Sequence, residues 1–204
     1  MLRWILALFL LVPAAVNAKV EYIPETKIVK ISNVTTTYSA LQFFNILQEN
    51  EVSAVLLSGP GGNAVAGLEI GKLLRKHDLT VVIPDGKVCV SACAFAALGG
   101  TRIIVGGELW FHGPFLPSIP TTESAHGYGN RLSAFNIKVS RYLLDMGINL
   151  EFYEKVLENT SQCKLLVLDE SSLIDKIKIG TSLDIPILVD SSYCKSGSTE
   201  DLSP

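Results

Sequence analysis

Ser53-Ala-Val-Leu-Leu-Ser-Gly-Pro-Gly-Gly-Asn63 runs from a short aliphatic stretch straight into a glycine turn. Ser53–Leu57 reads as a buried strand, and Ser58–Asn63 as a sharp turn. Ala64–Lys76 continues as a helix with Leu68, Gly71 and Leu74 at helical spacing. A glycine turn between a buried strand and a helix exposes backbone N–H groups at the helix start. Such groups can bind a phosphate or stabilise an oxyanion. A plain tight turn uses glycine for the same conformational reason. The turn lacks G-x-x-x-x-G-K-[ST], which excludes a P-loop, and it does not match the G-x-G-x-x-G dinucleotide fingerprint.

The same strand-to-helix alternation recurs on both sides. Lys27–Ser32 is a β-branched strand, and Ser39-Ala-Leu-Gln42 has the form of a capping box. Ala40, Phe43, Phe44 and Leu47 then share one helical face. Downstream, Thr80–Pro84 is a strand, and Val88–Leu98 is a run of small and apolar residues ending in Gly99-Gly100. Thr101–Val105 and Leu109–His112 are strands split by Gly106-Gly107. Gly113–Asn130 has no periodicity and is long for a structureless connection, so it is expected to form a lid or binding loop. Arg131–Met146 is an amphipathic helix with Leu132, Phe135, Val139, Tyr142 and Leu143 on one face. Leu150–Glu158 is a further helix, Leu165–Leu168 a strand, and Asp169 can cap a helix over Glu170–Lys178. Units of this length predict an α/β fold with a parallel sheet covered by helices.

The 204 residues, 48% hydrophobic and 18% charged, suffice for one domain with a real core and are too apolar for disorder. With 17 Lys and Arg against 20 Asp and Glu and no basic stripe, no nucleic-acid partner is expected. Met1–Ala18 carries Arg3, an apolar run from Trp4 to Val12, Pro13, and small residues at Val16 and Ala18. This is a secretory signal-peptide pattern, and the run is too short for a spanning anchor. The expected organisation is a signal peptide over 1–18, one domain over 19–190 and a polar tail over 191–204. The mature chain is then periplasmic or secreted. Outside the cytosol, the four cysteines Cys89, Cys93, Cys163 and Cys194 favour disulfide formation. Three pairings are open to four cysteines, and at least one disulfide is expected, Cys163–Cys194 foremost, with Cys89 and Cys93 read as small packing residues beside the site. No Cys or His spacing suits a structural metal, and no organic cofactor is indicated.

The residues able to carry chemistry fall between Ser58 and His112. Ser91 stands in Val88-Cys-Val-Ser-Ala-Cys-Ala-Phe95, where a helix starting nearby would place its hydroxyl, and the Ala92 amide, at the helix N-terminus. A serine used only for helix packing gives the same pattern. This is not the G-x-S-x-G elbow. Of the three histidines, His77 lies in a charged helix end and reads as solvated, and His126 lies in the unpatterned loop. His112 ends an apolar strand and precedes Gly113-Pro114. Strand ends above a parallel sheet are where α/β sites assemble, and a serine needing a base could find it there.

Ser58-Gly-Pro-Gly-Gly-Asn63, Cys89-Val-Ser91-Ala and Phe111-His112-Gly-Pro, in this order, resemble the ClpP-like serine peptidases of the ClpP/crotonase superfamily, and among them their exported, periplasmic branch. The resemblance covers Val52–Pro114. It implies a superhelix of β-β-α units, Ser91 as nucleophile, His112 as general base, and amides of Gly61, Gly62 and Ala92 as the oxyanion hole. The family's acid falls after the histidine, near the last helix. The matching stretch Cys163–Leu168 has no carboxylate, and Asp169 is the nearest, with Asp145 and Asp175 further off. A dyad is therefore expected, with a carbonyl or amide orienting His112. The implied reaction is acyl transfer on a peptide or ester substrate; the alternative is a binding or assembly protein of the same fold that has lost the acid. Relatives assemble through their late helices, so Arg131–Glu158 suggests a homo-oligomer. No ATP-dependent unfoldase is expected as partner, and coenzyme A chemistry fits poorly with export.

Overall fold

The computed structural model describes residues 19–115, 125–161, 164–179 and 187–188. After β1 (Lys19–Ile23), the described residues contain successive β-β-α units. β2 (Ile28–Ser32) and β3 (Val34–Thr35) lead into α1 (Thr37–Glu49). β4 (Ala54–Leu57) and β5 (Gly61–Gly62) lead into α2 (Ala64–Lys76). β6 (Thr80–Ile83) and β7 (Val88–Val90) lead into α3 (Ala92–Ala97). β8 (Arg102–Val105) and β9 (Glu108–Phe111) precede α4 (Ala125–Asp145). α5 (Leu150–Asn159), β10 (Leu165–Leu168), α6 (Ser171–Ile179) and β11 (Ile187–Leu188) follow.

The first strands of the units build one sheet, in the order β1-β2-β4-β6-β8. β2, β4, β6 and β8 are parallel, and β1 is antiparallel at the edge. Val29, Val55, Val81 and Ile103 sit side by side in register across four strands, all buried. That β-branched row is the reason these segments pair as they do, since it packs on a pleated, half-buried surface. The second strands pair separately. β3 lies parallel to β5, β7 parallel to β9, and β10 and β11 extend the latter sheet antiparallel. A bridge between Gly59 and Cys89 ties the two second-strand groups together. The result is the superhelix of β-β-α units, a single α/β domain.

The small residues of α3 have a packing role. A Cβ on Gly67 of α2 would strike the carbonyl of Ala92, and one on Gly99 the carbonyl of Gly71. α2 and α3 therefore meet almost backbone to backbone, which fixes the turn before α3. Tyr142 of α4 closes the same layer by donating to the Phe95 carbonyl at 2.7 Å.

Several boundaries differ from expectation. β1, in which Val20 and Tyr22 alternate with Lys19 and Glu21, was not anticipated. α1 begins before Ser39: Thr36 is its N-cap, and Thr36 and Ser39 exchange side-chain and backbone hydrogen bonds at 3.0 and 3.1 Å. Ser39 is thus the inner, N3 member of the capping box, three residues after Thr36 and so placed to reach back to the N-cap backbone. Phe44, placed on the buried face, is 40% exposed. α4 starts at Ala125, not Arg131, because Gly127 and Gly129 weaken a helical pattern without ending the helix. The remainder of the expected lid, 116–124, lies outside the described residues, as do the expected signal peptide and the polar tail.

Candidate active site

Ser91 occupies the one-residue turn between β7 and α3. It is the N-cap of α3 with φ 55° and ψ −119°, and its side chain does not cap the helix. A non-glycine residue held there costs of order 1–3 kcal/mol, and persists only where its surroundings over-determine it. Here they do. The Ser91 amide donates to the Trp110 carbonyl at 2.8 Å, Val90 to Gly59 at 2.9 Å, and the Phe95 amide to the Ser91 carbonyl at 3.0 Å. The hydroxyl is thereby turned out of the helix.

Gly61 lies against this turn. At φ +91°, a Cβ on it would stand 2.5 Å from the Val90 carbonyl oxygen, 2.9 Å from Ser91 Cβ and 3.0 Å from the Ala92 nitrogen. Only glycine fits, and the structure brings Gly61 and Ala92 together beside Ser91. Gly62 turns the other way, its absent Cβ facing the Thr35 carbonyl oxygen of β3 at 2.5 Å. Ala92 opens α3, and its amide belongs to the first turn, which has no intrahelical acceptor. Asn63 caps α2 by accepting from the Ala66 amide at 3.0 Å.

His112 follows β9 directly. β7 and β9 are parallel, with Val90 paired to Trp110, so Ser91 and His112 leave adjacent strands at the same end. Parallel neighbours lie about 4.8 Å apart, which puts both side chains over one hollow. Ser91, Ala92 and His112 line a narrow pocket with Ala64, Leu68, Phe95, Pro114, Phe135 and Val139. The His112 ring is buried and stacks obliquely on Phe115, centroids 5.4 Å apart. Its Nδ1–H donates to the Gly113 carbonyl at 2.7 Å, leaving the lone pair on Nε2. Burial pushes the imidazole pKa below its usual value, and the main-chain hydrogen bond offsets part of that. The ring is neutral at neutral pH.

Gly113 is itself held. Its amide donates to Thr160 Oγ1 at 2.9 Å, and that hydroxyl donates to the Val156 carbonyl one turn earlier in α5. Thr160 is the C-cap of α5. A lone threonine after a helix carries no sequence signal for this role, and it was not singled out. The apolar lining by Phe95, Phe135 and Val139 was legible only as helix core.

Asp169 is not brought to His112. β10 runs antiparallel to β9, with Leu166 opposite Phe111 and Leu168 opposite Leu109. Continuing that register sets Asp169 level with Glu108, the first residue of β9, four residues or about 14 Å along the strand from His112 at ~3.4 Å per residue, and Asp169 is exposed. Asp145 and Asp175 are also exposed, at the end of α4 and on α6. Among the described residues, no carboxylate hydrogen-bonds to His112. His77, expected to be solvated, is half-buried at the end of α2 with its Nε2 unpaired. His126 is exposed in the first turn of α4.

A disulfide is present, as expected, but it joins a different pair. Cys89 and Cys93 are not free packing residues: they are bonded to each other, with Cα atoms 5.3 Å apart. Strand geometry at Cys89 and helix geometry at Cys93, with the Ser91 turn between them, bring the two sulfurs together. Cys163 and Cys194 lie outside the described residues.

No family model and no curated protein matches the chain. Among solved structures, a mutant form of the 1510-N membrane-bound stomatin-specific protease is similar. It covers 73% of this chain and 74% of its own, with a TM-score of 0.52 at 19% identity. The fold is ClpP-like. In this ClpP-like fold the second strands of consecutive units end at one place, which is why Gly61, Ser91 and His112, far apart in sequence, converge.

Proposed function

We propose that this chain is an exported serine hydrolase, peptidase-like, acting through a Ser91–His112 dyad with a backbone oxyanion hole. The observation that carries it is Ser91 at φ 55° at the start of α3, opening on the same pocket as a neutral, oriented His112. Packing alone requires no strained serine with an uncommitted hydroxyl. His112 Nε2 takes the Ser91 proton as Oγ attacks a peptide or ester carbonyl. The Ala92 amide and an amide of the Gly61-Gly62 turn receive the oxyanion. Nε2–H then protonates the leaving group, and water releases the acyl chain by the same route.

The Gly113 carbonyl takes the orienting place of a triad acid. It fixes the tautomer as a carboxylate would, but offers the imidazolium a dipole instead of a charge. A slow enzyme follows, since the third group also stabilises the charged ring. The apolar lining by Leu68, Phe95, Phe135 and Val139 favours substrates with an apolar group beside the reacting carbonyl. Export rests on Met1–Ala18, and homo-oligomer formation on the exposed Ile137, Leu144 and Leu157 of α4 and α5. A fluorophosphonate probe tests the reading: wild type is labelled at Ser91, and Ser91→Ala is not. An unlabelled wild type leaves the binding or assembly role instead.

A further inference from the structure

We infer that the Cys89–Cys93 disulfide is a positioning device that holds Ser91 in its strained backbone conformation, so that the nucleophile is complete only when the bridge is oxidised. The inference rests on the hydrolase reading for its catalytic consequence, but not for its structural one. Cys89 lies in β7 and Cys93 in α3, and Ser91 is the middle residue of the ring they close. A relaxed, extended Ser91 would draw the two Cα atoms apart, toward about 13 Å for a fully extended run. The bridge holds them at 5.3 Å, and disulfides tolerate no more than about 7 Å.

The hydrogen bonds hold each side of Ser91 to its own neighbours, and the disulfide closes the turn between those two sides. Ser91 N–H to Trp110 and Val90 N–H to Gly59 fix β7 to its neighbours, while Phe95 N–H to Ser91 fixes the first turn of α3. Packing of Gly61 and Gly67 presses on the same turn, and among the described residues the disulfide is the covalent link from strand to helix across Ser91. The ring is too short for a large effect on the unfolded chain, because loop-closure stabilisation grows with loop length. Its effect is local. Both cysteines are buried, Cys89 fully, so the turn must open for a dithiol to reach the bridge.

The chemistry balances as ordinary exchange. A dithiol attacks one sulfur as thiolate, and its second thiol resolves the mixed disulfide. Two electrons and two protons pass to Cys89 and Cys93, leaving two thiols, and the dithiol becomes a disulfide. In a reducing compartment Ser91 relaxes, and the site assembles only after oxidation.

The test compares oxidised wild type, wild type reduced with dithiothreitol, and the Cys89→Ala/Cys93→Ala double variant. Two readouts are followed, amide hydrogen exchange and fluorophosphonate labelling. In both bridge-free forms, the Ser91 and Phe95 amides should exchange at least tenfold faster, while those of Val55 and Leu57 in β4 stay protected. Labelling at Ser91 should fall at least tenfold and return when the reduced protein is reoxidised. Unchanged exchange at Ser91 and Phe95 overturns the inference. So does loss of β4 protection in both bridge-free forms, because the bridge would then hold the whole fold. If only the double variant loses β4 protection, the reduced wild type decides. An oxidised wild type that is not labelled overturns the hydrolase reading, and the exchange data alone then decide the clamp.

Discussion

The carbonyl of Gly113 accepts a hydrogen bond from Nδ1 of His112 at 2.7 Å. A carbonyl only accepts, so this contact sets the tautomer and leaves the lone pair on Nε2 of a ring that lines the pocket. The chain thus orients its candidate base with the main chain of the next residue and uses no carboxylate among the described residues.

Thr160 should govern that orientation. Thr160→Val keeps the shape but removes the acceptor for the Gly113 amide. One lost hydrogen bond of roughly 1–2 kcal/mol, if expressed in the transition state, slows labelling of Ser91 about 5- to 30-fold. Thr160→Ser should restore most of the rate. Equal rates in all three proteins would show that the Thr160 contact does not act on His112.

The pH dependence follows from burial. The His112 pKa lies below the usual 6.5 because desolvation disfavours the imidazolium. Labelling should therefore be on its plateau at neutral pH and fall only as pH drops through the lowered value. The folded state binds fewer protons than the unfolded state in that window, so stability falls as well from about pH 6.5 downward. A rate profile with its midpoint above 6.5 would contradict the neutral, buried base.

Gly61→Ala should damage the site and the fold together. The added Cβ meets the Val90 carbonyl at 2.5 Å and Ser91 Cβ at 2.9 Å, in a backbone conformation that alanine resists. A loss of about 2–3 kcal/mol in denaturant unfolding is expected, with labelling lost under native conditions. An alanine variant as stable and as reactive as wild type would mean that β5 does not press on the Ser91 turn.

Export is tested by the start of the purified mature chain. Cleavage after Ala18 gives Lys19 as the first residue by mass spectrometry or N-terminal sequencing. An exported protein still carrying Met1–Ala18 would rule out cleavage at that point.

The repeating strand–helix units were legible because short aliphatic runs such as Ser53–Leu57 and a periodic helix such as Ala64–Lys76 alternate along the chain. The convergence of Ser91 and His112 was legible only through the order of the short motifs around them, since no local signal reports parallel pairing of β7 with β9. Thr160 was illegible because its role depends on α5 ending beside Gly113, a tertiary fact. The Cys89–Cys93 bridge was misread for a related reason. Spacing alone does not reveal that a strand ends and a helix begins between the two residues, and that change of conformation is what lets the sulfurs meet. Asp169 was the carboxylate nearest the position of the family's acid, though a dyad was expected, and the antiparallel register of β10 carries it to the far end of β9 from His112.

The most direct test of the dyad is covalent labelling by a fluorophosphonate, read by peptide mass spectrometry on wild type, Ser91→Ala and His112→Ala. The dyad predicts one adduct on the peptide containing Ser91 in wild type, none there in Ser91→Ala, and a rate at least about 100-fold lower in His112→Ala, the contribution typical of a positioned general base. A folded, oxidised wild type that forms no adduct at Ser91, or an adduct rate that does not change in His112→Ala, would contradict it.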